Sequence, residues 1–422
     1  MLRLHNLQKH LLGNRIHSDC SPARYFSTES AKESARKARK FEYAVIGGGP
    51  AGILALGRLL DKLGPKKFYH EVVWYDPNFK VGMFWEKWYN VPSNSKTQIS
   101  LDYLSAAKSF GYNLEDKTRE LNRIDPGKTC RLGIVGKELI EISHKLRTKV
   151  HTVQGIVKSI DYVYNRQAPR ANPDPADDLY RLTADHYNPA TETFEPNPEV
   201  VYTKNIIYCP GSLPIVLPLK VEKPVIDLEL AMDHMQLQEH VQKRGVKSIA
   251  VYGSSHSSFL VIRNAVRAGV ERIVNFYQKP ILHAEYLEDW IRHDNTGLKG
   301  EISDWVKEHV EKNPLSCLER YKNSDPSFDE KPLLDGIDEV IFTVGFGRPA
   351  SDHVQLMEFG SPVENPAGVW RGYDSTEMRI MKNMWGMGIC FPKKCVDKEG
   401  TEEMGIGLED FQKAVRNIEI LK

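Results

Sequence analysis

The sequence lacks any apolar run of the roughly 18 residues that a membrane-spanning helix needs. It also lacks an excess of charge of either sign, since its formal net charge is +1 over 422 residues. A chain with so little net charge creates no overall field that would favour nucleic acid or an anionic membrane as a partner. We therefore predict no transmembrane segment and no nucleic-acid partner, while the oligomeric state stays open.

Cysteine is scarce and scattered. The six cysteines include no C-x-x-C pair, and their wide spacing does not form the disulfide framework of a small secreted protein. The histidines show no metal-ligand spacing. We therefore predict neither a disulfide scaffold nor a metal site. The length and the ordinary composition indicate a globular chain of about two or three domains.

Acidic residues are also scarce at the N-terminus, where Asp19 is the single carboxylate of Met1–Thr28. This stretch has four basic residues and leucines at helical spacings, so that a helix here would be basic and amphipathic. The pattern is typical of a mitochondrial transit peptide, and Arg24 before an aromatic pair resembles a matrix-protease cleavage region. We predict a transit peptide over residues 1–30, a basic tether over 31–40 and a location in the mitochondrial matrix. The alternative is a disordered basic arm.

A strand, a glycine loop and a helix follow one another where the globular part begins. Phe41–Ile46 is an apolar strand, and it leads into Gly47-x-Gly49-x-x-Gly52 and then a helical pattern. In such a loop the first glycine allows a tight turn, the second lets a pyrophosphate approach the backbone, and the third lets the helix pack on the strand. The sequence therefore predicts a dinucleotide site.

Three further residues belong to this first prediction. Pro50 and Ala51 begin the helix, whose free N–H groups attract phosphate. Asp76 ends the next strand, Glu71–Tyr75, 24 residues after Gly52. Its carboxylate is expected to accept hydrogen bonds from ribose hydroxyls. The alternative is a glycine-rich turn with a surface acid.

The middle of the chain contains a second copy of this plan. Ser248–Tyr252 is a strand, Gly253–Ser258 the loop, Phe259–Ala268 a helix, and Arg272–Tyr277 the next strand. Within the loop, Ser255 replaces the middle glycine, although the hydroxyls of Ser255 and Ser257 would donate to phosphate. The second strand ends without an acid and is followed by Lys279, which favours NADPH over NADH. The alternative is a retained fold without a bound nicotinamide nucleotide.

The remaining segments give weaker signals. Strands are predicted at Gly155–Val163, Asn205–Cys209 and Asp338–Val344. An exposed hairpin or loop is predicted over 165–198, and helical patterns over Trp290–Asp325 and Leu408–Leu421.

From Phe41 to the C-terminus the sequence resembles the two-dinucleotide-binding flavoprotein superfamily, and within it the flavin-containing and N-hydroxylating monooxygenases. The resemblance is carried by the two glycine loops, Val81–Trp85, Ser93–Lys96 and Thr343–Phe346. It implies FAD on the first loop and NADPH or NADH on the second. It also implies that Trp85 and Lys96 lie along the flavin, for which the alternatives are a core aromatic residue and a solvated lysine.

The resemblance also implies the architecture. We expect an α/β fold, in which a Rossmann-like FAD domain with a parallel sheet is interrupted by a second Rossmann-like NAD(P) domain. The FAD domain would comprise 41–220 and 346–422, and the inserted domain 221–345. Gly211 and Gly345 would close turns where strands meet the flavin, and residues 388–392 would pass back beside its ring.

Two features of such flavoproteins are missing. No cysteine lies between Asp76 and Cys130, which argues against dithiol chemistry beside the flavin. Val221–Asp227 lacks the glycine and the histidine of the monooxygenase fingerprint. We therefore predict an NAD(P)H oxidoreductase that passes electrons to an unidentified acceptor, with no catalytic side chain assigned because hydride transfer needs no protein acid or base. The alternatives are an N- or S-oxygenating flavin monooxygenase and a non-catalytic flavoprotein, such as a structural subunit of a mitochondrial assembly.

Overall fold

The computed structural model describes residues 39–163, 179–196, 199–219, 221–348, 355–358, 361–362 and 373–422. The predicted transit peptide, most of the predicted tether, and residues 165–178 and 197–198 of the predicted hairpin or loop lie outside these ranges. No helix among the described residues is long and apolar enough to cross a bilayer.

The strands are numbered in chain order. They are β1 Arg39–Ile46, β2 Val72–Asp76, β3 Pro92–Lys96, β4 Thr129–Arg131, β5 His151–Val163, β6 Leu179–Asn188, β7 Thr193–Pro196, β8 Val201–Tyr208, β9 Leu213–Pro214, β10 Ser248–Tyr252, β11 Arg272–Tyr277, β12 Glu285–Tyr286, β13 Ile291–Arg292, β14 Leu318–Lys322, β15 Glu339–Phe342, β16 Phe346–Gly347, β17 Gln355–Glu358, β18 Ser361–Pro362, β19 Arg379–Met381, β20 Met384–Gly386, β21 Lys393–Val396 and β22 Glu402–Gly405.

The helices are numbered in the same way. They are α1 Pro50–Glu71, α2 Met83–Glu86, α3 Thr97–Leu104, α4 Leu132–Arg147, α5 Leu228–Met232, α6 His234–Arg244, α7 His256–Arg267, α8 Gly300–Val306, α9 Lys331–Asp335 and α10 Leu408–Val415.

The larger sheet is built around β1. Its main path runs β18-β17-β5-β2-β1-β8-β20-β19, and the pairs of β1 with β2 and β8, of β2 with β5, of β8 with β20 and of β5 with β17 are parallel. Val45 lies opposite Trp74 on one side and Ile207 on the other, and all three are fully buried. Such apolar runs are expected where helices or further strands cover both faces of parallel strands.

The smaller sheet is entirely parallel and has the order β14-β11-β10-β15. Its four strands lie in the chain between β8 and β17 of the larger sheet. The short antiparallel pair of β9 with β16 joins the segment that leaves β8 to the segment that follows β15. The fold is therefore mixed α/β with two parallel regions, as predicted, while the exact domain boundaries stay predictions.

Helix α1 packs its apolar face on β1. Ile53, Leu56 and Leu59 are fully buried. Gly64 has φ 73° and ψ 160° and interrupts the helix, so that the predicted end at this glycine is a break followed by a second helical stretch. Phe68 in that stretch is fully buried, and its contribution to the core explains why the chain stays helical after Pro65.

Several predicted boundaries were wrong. Strand β1 starts at Arg39, two residues inside the predicted tether. Within 165–198, strands β6 and β7 form an antiparallel pair, so the hairpin alternative is found. The predicted exposure was wrong, because β6 also pairs with β5 and β8 of the larger sheet. Tyr180 and Leu182 of β6 are buried although the surrounding sequence is polar, and this local polarity hid the strand.

Two predicted helices are shorter than expected. The stretch Trp290–Asp325 holds the short helix α8, a π-helical turn at Lys307–Lys312 and then strand β14. Strand β14 pairs with β11 at the sheet edge, where charged residues are common and alternation is weak. The last predicted helix, Leu408–Leu421, ends at Val415 and is followed by a 3₁₀ turn at Glu419–Leu421.

The contact of α1 with the turn at Lys108–Phe110 gives a stability prediction. A Cβ at Gly57 would lie 2.4 Å from Phe110 Cε1 and 2.8 Å from Ala107 Cβ. Gly57→Ala should therefore lower the free energy of unfolding by about 1–3 kcal/mol through overpacking, although alanine is the better helix former. Denaturant unfolding measures this, with the exposed Lys66→Ala in the same helix as control. A more stable Gly57→Ala protein would contradict the packing.

Candidate functional site

The first glycine loop has three glycines with three different surroundings. A Cβ at Gly47, which has φ 110°, would lie 1.9 Å from the carbonyl oxygen of Cys209. A Cβ at Gly52 would lie 2.0 Å from the carbonyl oxygen of Gly47, so the helix approaches the strand too closely for any side chain. A Cβ at Gly49 meets no atom within 4 Å. The first and third glycines therefore shape the loop, and the second faces open space.

The start of α1 is open to an anion. Gly49 is the N-cap residue, Pro50 follows at the start of the helix, and no side chain hydrogen-bonds to the cap. The helix therefore keeps N–H groups and a partial positive charge at its N-terminus. Gly388, with φ 104°, lies beside it, because a Cβ there would be 3.4 Å from Ala51 Cβ. The C-terminal segment thus passes beside the first loop.

Asp76 is tied to the backbone of this loop. Its Oδ2 accepts the N–H of Gly48 at 2.6 Å, and its Oδ1 accepts the N–H groups of Asn78 at 3.0 Å and Phe79 at 2.5 Å. Burial raises the pKa of the Asp76 carboxyl above its ordinary value, and these three N–H donors oppose that rise. The carboxylate fixes the loop conformation, and its predicted contact with a ribose stays a prediction.

The segment after β2 lies between the two cores. A Cβ at Gly82 would be 3.7 Å from the Cα of Gly49, so this turn borders the open space at the loop. Trp85 lies edge-on to Tyr89, with ring centroids 5.2 Å apart, and is half-buried. Lys96 is exposed, and its Nζ lies 4.8 Å from the centre of the Tyr286 ring. The structure gives both residues a protein contact, and their predicted positions along a flavin stay predictions.

The two strand-end turns are brought together. Ile215 donates its N–H to the carbonyl oxygen of Gly345 at 3.0 Å, next to the β9–β16 pair. Gly211 has φ 77° and Gly345 has φ 102°, conformations that favour glycine. The Cys390 thiol donates to the carbonyl oxygen of Gly211, which links this turn to the C-terminal segment.

The second glycine loop is held by hydroxyl groups. A Cβ at Gly253, with φ 128°, would lie 2.5 Å from Thr343 Oγ1 and 2.7 Å from Ser258 Oγ. These two hydroxyl oxygens are 2.7 Å apart, and Ser258 Oγ also accepts the N–H of Ser255 at 3.1 Å. A serine therefore stands where the first loop has Gly52, and its hydroxyl links α7 to the end of β15.

The predicted nucleotide residues of this loop lie at its surface. Ser255 is exposed, Ser257 is half-buried, and the side chain of Lys279 is exposed. Ser254 Oγ donates to the carbonyl oxygen of Lys279 at 2.7 Å, so this lysine lies next to the loop. The structure thus brings Gly253, Ser255, Ser257 and Lys279 together, and their contact with a nucleotide stays a prediction.

His256, the first residue of α7, points into the protein. Both ring nitrogens are buried and have no hydrogen-bond partner in the described part of the chain. Burial, together with the charges of Arg263 and Lys299, lowers the pKa of His256 from 6.5 to about 4. The imidazole is therefore neutral at physiological pH.

Sequence reasoning missed the Ser258–Thr343 pair and the role of Tyr103. The Tyr103 hydroxyl donates to the carbonyl oxygen of Pro50 at the start of α1. The sequence signal for the first pair was a hydroxyl residue at the third loop position and another at the end of a later strand. No signal pointed to Tyr103, because its contact crosses 53 residues of sequence.

Comparison with known proteins finds relatives that match most of this chain. Monooxygenase AgnR1 of Paecilomyces divaricatus is 27% identical over 406 residues, which cover 90% of this chain and 97% of that protein. The ornithine N-hydroxylase of Kutzneria sp. 744, solved with reduced FAD, NADP⁺ and L-ornithine, has a TM-score of 0.56 at 13% identity, covering 90% of this chain and 98% of that one. A mutant flavin monooxygenase from Stenotrophomonas maltophilia has a TM-score of 0.53 at 12% identity, covering 91% and 97%.

The chain has the fold of the flavin-dependent monooxygenases. The resemblance predicted from the sequence is thereby confirmed. No protein-family model matches the sequence. Within this fold, the space at Gly49 of the first loop is open among the described residues, whereas hydroxyl contacts fill the second loop at Ser258 and Thr343.

The buried neutral His256 makes stability depend on pH. Its pKa is lower in the folded chain than its ordinary value of 6.5, so folding favours the neutral form, and this contribution is lost as the pH falls from 6.5 towards 4. The difference in unfolding free energy between wild type and His256→Asn should shift by about 2 kcal/mol between pH 7 and pH 4.5, to the disadvantage of wild type. Urea unfolding at both pH values measures it, and a pH-independent difference would contradict the buried imidazole.

Proposed function

We propose that this chain is a flavin-dependent monooxygenase that binds FAD at Gly47–Gly52 and takes its reducing equivalents from NADPH at Gly253–Ser258. The proposal is carried by the alignment with Monooxygenase AgnR1, which spans nearly the whole of both chains. The open, uncapped start of α1 supports it from the side of geometry.

The first loop has the features that an FAD pyrophosphate requires. The open space at Gly49 would admit the phosphates, and the free N–H groups of Ala51 and Gly52 would face them at the start of the helix. Gly47 and Gly52 hold the backbone in that position, and Asp76 fixes the turn through Gly48. Bound FAD would supply hydride acceptance from the nicotinamide and the reaction of its reduced form with dioxygen.

The second loop would bind the nicotinamide nucleotide. Ser255 and Ser257 present hydroxyl groups near the N-terminus of α7, and the neighbouring Lys279 offers a positive charge for a 2′-phosphate. This charge favours NADPH over NADH. The residues of both loops bind and orient, and no protein acid or base is assigned to the transfer itself.

A second candidate is a reductase that passes electrons to an acceptor other than dioxygen. It is favoured by the segment Val221–Asp227, which lacks the glycine and histidine of the monooxygenase fingerprint. A third candidate is a non-catalytic flavoprotein, favoured by the hydroxyl contacts that occupy the second loop at Ser258 and Thr343.

Anaerobic titration of the purified chain with NADPH and with NADH tests the proposal. We expect the visible flavin absorbance to bleach with both donors, and to bleach at lower concentration with NADPH. A yellow protein that neither donor reduces would favour the non-catalytic candidate. Readmission of air separates the remaining two, since fast reoxidation by dioxygen supports a monooxygenase, whereas reoxidation only by an added quinone or dye supports a reductase.

The substitution Gly49→Trp tests whether FAD binds at the first glycine loop. The backbone at Gly49 has φ −74°, which any residue adopts, so the substitution should leave the melting temperature of the apoprotein nearly unchanged. The indole would fill the space for the pyrophosphate, so we expect no FAD to remain after gel filtration. Lys66→Trp, at an exposed position of helix α1 with ordinary backbone angles, serves as a control for the added bulk. A Gly49→Trp protein saturated with FAD would contradict the assignment.

Targeting is proposed separately from catalysis. The basic, amphipathic stretch at 1–30 supports import into mitochondria. Deletion of Met1–Ser30 from a fluorescently tagged chain is expected to leave the protein outside mitochondria. Mitochondrial fluorescence of the truncated chain would contradict the transit peptide.

A further inference from the structure

A cleft separates β3, β4 and the start of α4 on one side from α7 and α8 on the other. Pro92 and Thr129 line the first side, and Arg263 and Glu301 line the second. Its volume of about 520 Å³ lies within the roughly 300–1,000 Å³ of typical sites for organic ligands. None of the residues of the two glycine loops lines this cleft.

Arg263 brings a poorly compensated positive charge to this cleft. Its side chain is 6% exposed, and its Nε is buried without a hydrogen-bond partner among the described residues. Among the described residues it pairs with the acid Glu301, with 3.6 Å between Arg263 Nη1 and Glu301 Oε2, and the Glu301 side chain is 73% exposed. Water screens such an exposed carboxylate, so it compensates little of the buried charge.

The neighbours of Arg263 add positive charge. Arg267, one helical turn later, also lines the cleft, and burial together with Arg267 lowers the pKa of the Arg263 guanidinium. Arg131 lines the opposite side, is exposed, and has no ion pair within the described ranges. His256, in a small space next to Arg263, has a pKa of about 4 and is neutral, so it offers no charge of either sign.

Part of the remaining lining is apolar, and the other part is polar and includes a second acid, Glu120. Tyr89, Ile124, Ile134 and Met232 face the same space as the three arginines. A ligand that contacts both the arginines and these four side chains therefore has an anionic end and an apolar or aromatic body, because a buried cation favours an anionic partner and apolar side chains favour an apolar one.

We propose that this cleft binds organic acids, with Arg263 donating to the carboxylate and Arg131 and Arg267 attracting it at the mouth. The proposal depends on the cleft alone and does not depend on the proposed flavin chemistry. Phosphate is the other anion that arginine binds well, and the measurement distinguishes the two.

Isothermal titration calorimetry on the full chain tests this proposal with benzoate and 2-naphthoate as probes. Benzamide serves as the neutral analogue of benzoate. Inorganic phosphate and NADP⁺ are added as competing anions. We expect the two carboxylates to bind, 2-naphthoate more tightly, and benzamide not to bind. Arg263→Met should weaken 2-naphthoate binding by about tenfold or more, as expected for loss of a charged hydrogen bond. Arg416→Gln, which removes an exposed arginine outside the cleft, should leave it unchanged.

The melting temperature of Arg263→Met gives an independent measurement. Removal of a poorly compensated buried charge should leave the ligand-free protein as stable as wild type or more stable, whereas a purely structural arginine would leave a less stable protein. If that variant fails to fold, Arg267→Gln replaces it, and a severalfold loss of 2-naphthoate affinity is expected. The proposal is overturned if neither carboxylate binds, if benzamide binds as tightly as benzoate, if phosphate or NADP⁺ displaces 2-naphthoate completely, or if neither arginine variant weakens binding.

Discussion

The packing of helix α1 on the larger sheet depends on the space around one atom, the carbonyl oxygen of Gly47. Trp74 Nε1 of β2 donates to this oxygen at 3.1 Å, and a Cβ at Gly52 of α1 would lie only 2.0 Å from it. Strand β1, strand β2 and helix α1 therefore meet around one atom, with no space for a side chain between them. This contact brings the start of α1 against the end of β1, where the open space at Gly49 lies.

In the second loop, hydrogen bonds between hydroxyl groups hold the helix against the sheet in place of a close backbone contact. Ser258 occupies the position of the third glycine, and its hydroxyl contacts Thr343 Oγ1 at 2.7 Å. Thr343 Oγ1 in turn donates to the carbonyl oxygen of Tyr252 at 2.5 Å, at the end of β10. A hydrogen-bonded chain thus replaces direct backbone contact, which keeps α7 on its sheet without the third glycine. The sequence of this loop departs from the glycine pattern, whereas the arrangement of strand, loop and helix is retained.

The sequence was informative where a residue type has one physical reason to be present. Gly47 and Gly52 predicted their separate roles, because only a missing side chain permits that turn and that approach, and the surroundings found for both agree. The role of Gly49 beside a pyrophosphate stays a prediction. The parallel strands β1, β8, β10 and β15 were predicted because apolar runs in such strands are buried on both faces. Strand β14 was not, since it lies at a sheet edge, where charged residues are common. Strand β6 was expected only within an exposed hairpin or loop, because the residues around Tyr180 and Leu182 are polar.

The cleft lined by Arg263 could not be predicted from the sequence, for a different reason. Arg131, Arg263 and Glu301 are far apart in the chain, and each alone is an ordinary charged residue. Only the folded structure shows that Arg263 is buried. Arg263 is 6% exposed, whereas the side chain of its partner Glu301 is 73% exposed, so the carboxylate compensates little of the buried positive charge. A folded chain retains such a charge at the expense of stability unless something else balances it, and the apolar wall beside it limits what that can be. The buried charge of Arg263 and the apolar side chains beside it are two separate properties of the cleft, and both favour an organic acid as the ligand.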